Sequence, residues 1–198
     1  MLFHTCAIHA VQRGNIGLND VVVIAGCGSL GLGMVAAARL KNPRLLVAID
    51  LMDYRLDIAR ACGADVCFNP EKVNVIEEIN KLTDGLGCDV YIEATGHPDA
   101  VEQGLHSVRK LGTFVEFGLF KEPVTVDWTI IGDSKELNVL GSHLSPYCYP
   151  IAINMLEKGQ VPVEKIVTHT LQLADFEKGF QMVKDPRAEK SVKVALTP

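Results

Sequence analysis

Three glycines and an aspartate carry the first chemical signal in the chain. Gly26, Gly28 and Gly31 stand in the run Gly26-Cys27-Gly28-Ser29-Leu30-Gly31, and Asp50 follows 19 residues after Gly31. Backbone without side chains can approach a pyrophosphate closely, and the N–H groups at a helix start attract its negative charge. A carboxylate about 20 residues further on accepts hydrogen bonds from the hydroxyls of an adenosine ribose. Gly26 permits the tight turn, Gly28 the approach of the phosphates, and Gly31 close packing of helix on sheet. These residue types suit holding a dinucleotide. The carboxylate would also repel a 2′-phosphate, so NAD is the expected cofactor rather than NADP.

Such a constellation works only where a strand feeds the turn and a helix leaves it. Val21 to Ala25 is a short β-branched run, as expected of a parallel strand buried on both faces. Met34 to Leu40 is Ala-rich and free of breakers, so the turn runs on into a helix. Leu45 to Ile49 is a second apolar run, and it ends on Asp50. Strand, glycine turn, helix, strand and acid therefore occur in the order that a dinucleotide fingerprint requires.

The alternation continues along the chain. Thr5 to Arg13 reads as a helix, Tyr54 to Ala61 as another stopped by Gly63, and Asp65 to Phe68 as a third strand. Val73 to Leu82 carries apolar residues at helical spacing. Asp89 to Glu93, Thr113 to Phe117 and Leu137 to Gly141 read as strands, with a helix over Asp99 to Arg109 and an extended piece at Val124 to Trp128. Strands separated by helices demand a parallel sheet with right-handed crossovers. The expected fold is α/β, a doubly wound Rossmann sheet in the order 3-2-1-4-5-6. Residues 1–145 would form it, and 146–198 would be a C-terminal α/β appendage with helices at Ile151 to Leu156 and Phe176 to Val183 and strands at Ile166 to Leu171 and Ser191 to Leu196.

Composition narrows the partners. The 198 residues carry a net charge of −5, with a pI near 5.7, which argues against nucleic acid or an anionic membrane as partner. No apolar stretch approaches the roughly 20 residues of a membrane span. The start, MLFHTCAIHAVQRG, lacks the features of a signal peptide, so a cytoplasmic protein is expected. The six cysteines contain no CxxC pair, and His9, His97, His106, His143 and His169 are scattered without ligand spacing. None of the four tyrosines has a Lys four residues on, and neither GxxxxGK[ST] nor GxSxG occurs, which removes three other catalytic plans. A methyltransferase shares the glycine turn and the acid, but not the features that follow Asp50.

Those further features resemble the medium-chain zinc-type alcohol and polyol dehydrogenases, with sorbitol- and threitol-type enzymes nearest. The resemblance rests on GCGSLGLG, the spacing from Asp50 to Arg55 with Leu56 and Ala59, Gly63-Ala64-Asp65, Glu93-Ala94-Thr95-Gly96, Phe117-Gly118 and Leu140-Gly141-Ser142. It implies hydride transfer between a nicotinamide and a secondary alcohol or polyol. It also implies that Gly26, Gly28, Ser29, Leu30 and Gly31 hold the pyrophosphate, and Asp50 with Arg55 the ribose. Ala94, Thr95 and Gly96 would line the same site, with Phe117, Gly118, Leu119, Gly141, Ser142 and His143 around the nicotinamide half.

The family's catalytic domain supplies zinc ligands, and zinc is expected only in full-length relatives. Leu2 and Phe3 stand where polyol dehydrogenases of this type carry a Glu-Pro pair with the acidic ligand. No catalytic or metal residue is therefore assigned, residues 146–198 are expected to be the return segment of that domain, and the isolated chain is expected to lack catalysis. A non-catalytic nucleotide-binding or interaction module, as a truncated gene product, stays open beside the enzyme reading. By the same resemblance, Val124 to Trp128 would lie at a sheet edge that pairs two copies as a homodimer.

Overall fold

Consecutive residues of the central strands point to opposite faces of the sheet, and both faces are buried. In β1 (Val21–Ala25), Val22 and Ile24 join one core while Val21, Val23 and Ala25 join the other. β2 (Leu45–Ile49) divides in the same way, with Leu46 and Ala48 opposite Val47 and Ile49. A strand that must be apolar on both sides cannot alternate, which is why these runs are continuous.

The computed structural model describes residues 2–198, with the side chains of Leu2 and Phe3 left aside. The expectation about a ligand place at Leu2 and Phe3 therefore lies outside the described side chains. The sheet is completed by β3 (Val66–Phe68), β4 (Cys88–Glu93), β5 (Val108–Glu116) and β6 (Asn138–Gly141). Its order is β3-β2-β1-β4-β5-β6, and every adjacent pair is parallel. The expected doubly wound topology is present. α1 (Leu2–Arg13) and α2 (Ser29–Arg39) contribute to one core, together with Leu56 and Ala59 of α3 (Asp53–Ala61). α4 (Val75–Leu82) and α5 (Pro98–Ser107) contribute to the other.

Two segments differ most from the sequence expectation. The helix expected to reach Arg109 ends at Ser107, and β5 starts at once with Val108. Lys135 Nζ causes the early stop, because it donates to the carbonyls of Leu105, His106 and Val108 at 2.7–2.8 Å and so satisfies the helix end. Val124 to Trp128 forms no strand. Pro123 offers no N–H, Asp127 Oδ1 accepts from Thr129 N at 2.9 Å, and a helical turn begins there and continues as a π-helix over Ile130–Ser134. Val126 packs toward the core while Trp128 is 75% exposed, so the two do not share one apolar face.

After β6 the chain forms α6 (Tyr149–Glu157), α7 (Val163–Ile166), β7 (Val167–Gln172), a short 3₁₀ turn (Leu173–Asp175), α8 (Phe176–Lys184), α9 (Pro186–Glu189) and β8 (Lys193–Thr197). β7 and β8 pair in parallel as a separate two-stranded sheet. Cys148, Ala152, Met155, Val161 and Ile166 are buried in the same core as β1 and α2, so that core continues past residue 145.

Candidate functional site

Strand order reverses between β1 and β4, and open α/β sheets bind ligands at the carboxyl ends of strands at such a point. A cleft of about 420 Å³ opens there. Six residues expected from the sequence line it: Gly26, Gly28, Asp50, Arg55, Ala94 and Thr95.

The glycine turn has a separate reason for each of its glycines. Gly26 has φ +98, in the region that L side chains rarely adopt. A Cβ on Gly31 would lie 1.7 Å from the Gly26 carbonyl oxygen, so the first turn of α2 sits directly on the end of β1. Gly28 differs from both: its backbone is extended, and a Cβ there would meet nothing within 4 Å. The space beside Gly28 is therefore open to something other than protein. Ser29, Leu30 and Gly31 form the first helical turn behind it, where backbone N–H groups have no partner within the helix. Their orientation and the helix dipole favour an anion in that space.

Asp50 organises the opposite wall. Its Oδ2 accepts from Cys27 N at 2.7 Å and its Oδ1 from Met52 N at 2.9 Å. The carboxylate thus braces the glycine turn across 23 residues of chain, which is a second role that the sequence does not reveal. Its side chain is 8% exposed, and Arg55 Nη1 lies 3.9 Å from Oδ2. Each carboxylate oxygen has a further lone pair to offer a ribose hydroxyl. Beneath the turn, burial and the Asp50 charge push the Cys27 thiol well above its ordinary range, so it is a packing group and no nucleophile.

The third wall depends on a residue whose role no sequence motif announced. Glu93 ends β4 and is fully buried, and its Oε1 accepts from Thr95 N at 2.6 Å, from Gly96 N at 3.0 Å and from the Thr95 hydroxyl. Its own carbonyl oxygen accepts from Phe117 N and Gly118 N at 3.0 and 3.1 Å. One buried residue therefore fixes both loops, its carboxylate the Ala94-Thr95-Gly96 loop and its backbone carbonyl the start of the loop after β5. Gly118 is forced by this arrangement, since a Cβ there would lie 2.2 Å from Glu93 Oε2. Glu116, half-buried nearby, has its pKa raised by burial and by the Glu93 charge. The signal available in sequence was an acid closing an apolar strand before Ala-Thr-Gly. His97, Asp99, Ala100 and Gln103 on α5 and its cap complete the wall, and they were not anticipated.

The remaining expected residues do not line this cleft, although Ser29 and Gly96 directly adjoin residues that do. Gly96 is packed against the Leu119 backbone, whereas Leu119 itself is 93% exposed. Phe117 and Gly118 follow β5, while Gly141 ends β6 with Ser142 and His143 beyond it. Ser142 N donates to Glu116 O at 2.9 Å, and its Oγ is buried without a hydrogen-bond partner among the described residues. Among those residues no three His, Cys, Asp or Glu side chains converge as metal ligands.

The profile of the zinc-binding dehydrogenases matches residues 29–158, two thirds of the chain. The chain belongs to this family. Among curated relatives of this chain, an erythritol/L-threitol dehydrogenase of Mycolicibacterium smegmatis is 50% identical over 194 residues, which are 98% of this chain and 53% of that protein. A sorbitol dehydrogenase of Halalkalibacterium halodurans is 30% identical over 98% of this chain and 56% of its own length. A crystal structure described as a short chain alcohol dehydrogenase from E. coli CFT073, complexed with the cofactor NADH, matches with TM-score 0.91 at 26% identity. It is covered over 100% of this chain and 58% of its own. The chain spans about half the length of the curated relatives it matches.

Proposed function

We propose that this chain is the coenzyme-binding part of an NAD-dependent oxidoreductase that passes a hydride between nicotinamide and a secondary alcohol or polyol. The observation that carries the cofactor reading is the open space at Gly28, set between the first turn of α2 and the Asp50 carboxylate. Bound NAD would supply the hydride acceptor. The chain's own residues bind and orient it: Gly26, Gly28, Ser29, Leu30 and Gly31 at the pyrophosphate, and Asp50 and Arg55 at the ribose. Ala94, Thr95 and Gly96 form the floor between the two cofactor halves, and Phe117, Gly118, Leu119, Gly141, Ser142 and His143 border the nicotinamide. The unpartnered Ser142 hydroxyl fits that border, as a donor awaiting an acceptor. A four-carbon or related polyol as substrate is supported by the names of the relatives.

Residues 146–198 are read as the segment that completes a catalytic domain. Leu173, Phe176, Phe180 and Val183 form an exposed apolar stripe, whereas Gly179 and Met182 face inward. Apolar surface of that kind marks an interaction face. The zinc of the family would be held by that domain, and the 198-residue chain alone is expected to bind cofactor without oxidising a polyol. A homodimer is supported by β6, an unpaired sheet edge with Val139 exposed and Trp128 near in sequence. A cytoplasmic location is kept from the sequence reading; among the described residues no helix is long and apolar enough to cross a membrane.

The test is titration of the chain with NADH and with NADPH, followed by fluorescence or calorimetry. Tighter binding of NADH, with the preference narrowed in Asp50→Ala, supports the reading. Equal affinity in the unmutated chain overturns the assignment of Asp50. A chain that binds neither nucleotide would instead favour an interaction module.

A further inference from the structure

The C-terminal segment reaches the ribose corner of the cleft through two neighbouring side chains of α3. Tyr54 Oη lies 2.8 Å from the Pro186 carbonyl and 3.0 Å from that of Ser191, and its single hydroxyl proton serves one of them at a time. The same oxygen accepts from Arg55 Nε at 3.2 Å. Arg55 Nη2 points to the Ser191 carbonyl at 3.5 Å, while Nη1 lies 3.9 Å from the Asp50 carboxylate. Ser191 is buried and anchored, since its Oγ donates to the Met182 carbonyl at 2.6 Å. A guanidinium is a rigid planar fork, so holding Nε and Nη2 also fixes where Nη1 points.

We propose that Tyr54 and the 186–191 turn are positioning elements for cofactor recognition: they hold the Arg55 guanidinium beside Asp50, so that docking of the C-terminal segment and binding of the adenosine half strengthen each other. This rests on the reading that the cleft takes NAD. Without the Tyr54 oxygen, Arg55 Nε loses its acceptor among the described residues, and the long side chain regains the freedom to swing from the carboxylate. The carbonyls of Pro186 and Ser191 lose the hydroxyl they share, which leaves Ser191 only the longer contact from Arg55 Nη2. Coupling of this kind is reciprocal, so the nucleotide must protect the turn by as much as the turn tightens the nucleotide.

Tyr54→Phe tests the inference because it keeps the ring, which packs under the guanidinium at 5.8 Å, and deletes only the hydroxyl. The expected result is NADH binding weakened about fivefold or more, with the NADH-over-NADPH preference reduced. In the unmutated chain NADH should slow amide hydrogen exchange across residues 186–192, and Tyr54→Phe should abolish that protection. Arg60→Ala breaks an exposed ion pair of α3, to Asp57 at 2.8 Å, without touching Arg55 or the 186–191 turn, so NADH affinity should stay within about twofold. Unchanged nucleotide affinities and preference in Tyr54→Phe, or exchange at 186–192 indifferent to NADH in the unmutated chain, would overturn the proposal. Should Tyr54→Phe prove insoluble, the exchange measurement on the unmutated chain decides by itself. Failure of the unmutated chain to bind NADH would refute the cofactor reading, and this proposal with it, before any variant is made.

Discussion

Replacing Gly28 by Ala separates what the glycine turn does for folding from what it does for a ligand. Gly28 has φ −69 and ψ −176, a conformation open to alanine, and its added Cβ meets no protein atom within 4 Å. A Gly→Ala change at a compatible site stabilises by about 0.4–1 kcal/mol through the unfolded chain. Gly28 is also the N-cap of α2, where alanine is poorer than glycine by an amount on the order of 0.5–1 kcal/mol. The two effects offset, so the melting temperature should stay within about 4 °C. Binding is a different matter, because the methyl group occupies the space assigned to the pyrophosphate. An overpacked contact costs about 1–3 kcal/mol, which is roughly 5- to 150-fold in NADH affinity. Thermal denaturation and an NADH fluorescence titration on the same sample give both numbers. Gly31→Ala is the contrast: with a Cβ 1.7 Å from Gly26 O it should lose more than about 3 kcal/mol of stability. NADH affinity unchanged in Gly28→Ala would refute the placement of the phosphates. Substantial unfolding of Gly28→Ala would refute the claim that the space beside it is free of protein.

Other outcomes follow from the same geometry. Glu93→Gln leaves a buried N–H or the new amide without a suitable partner, so it should lower stability by about 1–3 kcal/mol, or some 2–12 °C by calorimetry; an unchanged melting temperature would contradict its bracing role. His4 is buried, and that burial lowers its pKa from 6.5 to about 4. The unfolded chain therefore takes up this proton first as pH falls, and stability should drop between about pH 6.5 and pH 4. His4→Gln should flatten that part of a urea-midpoint profile, and an identical profile would show that His4 is not responsible. Val139→Lys places a charge on the unpaired edge at β6, so light scattering should report monomers. A dimer that survives this change places the interface elsewhere.

What the sequence made legible was local, and what it hid was long-range. β1, β2 and the turn after β1 are written in adjacent residues, because burial on both faces demands an unbroken apolar run and the turn demands glycine. The start of α4 at Val75 rather than Val73 follows from the Asn74 side chain, which accepts from Glu77 N. The early end of α5 depends on Lys135, about 30 residues away, and no periodicity within the helix encodes it. In the site, the spacing from Gly31 marked Asp50 as the expected ribose acceptor, but not as the acceptor of Cys27 N. Glu93 was visible as the last residue of a strand and as part of the Glu93-Ala94-Thr95-Gly96 run but not as a brace, since its value lies in amides that the fold brings to it. Tyr54 looks like an ordinary helical residue until the chain returns at Pro186 and Ser191.

A crystal structure of the chain with NADH tests the central claim most directly. The account predicts the diphosphate against the first turn of α2 in the space beside Gly28, with the adenosine ribose hydroxyls within about 2.6–3.2 Å of the Asp50 carboxylate. A dinucleotide bound elsewhere, or lying in the cleft with its ribose out of reach of Asp50, would contradict it.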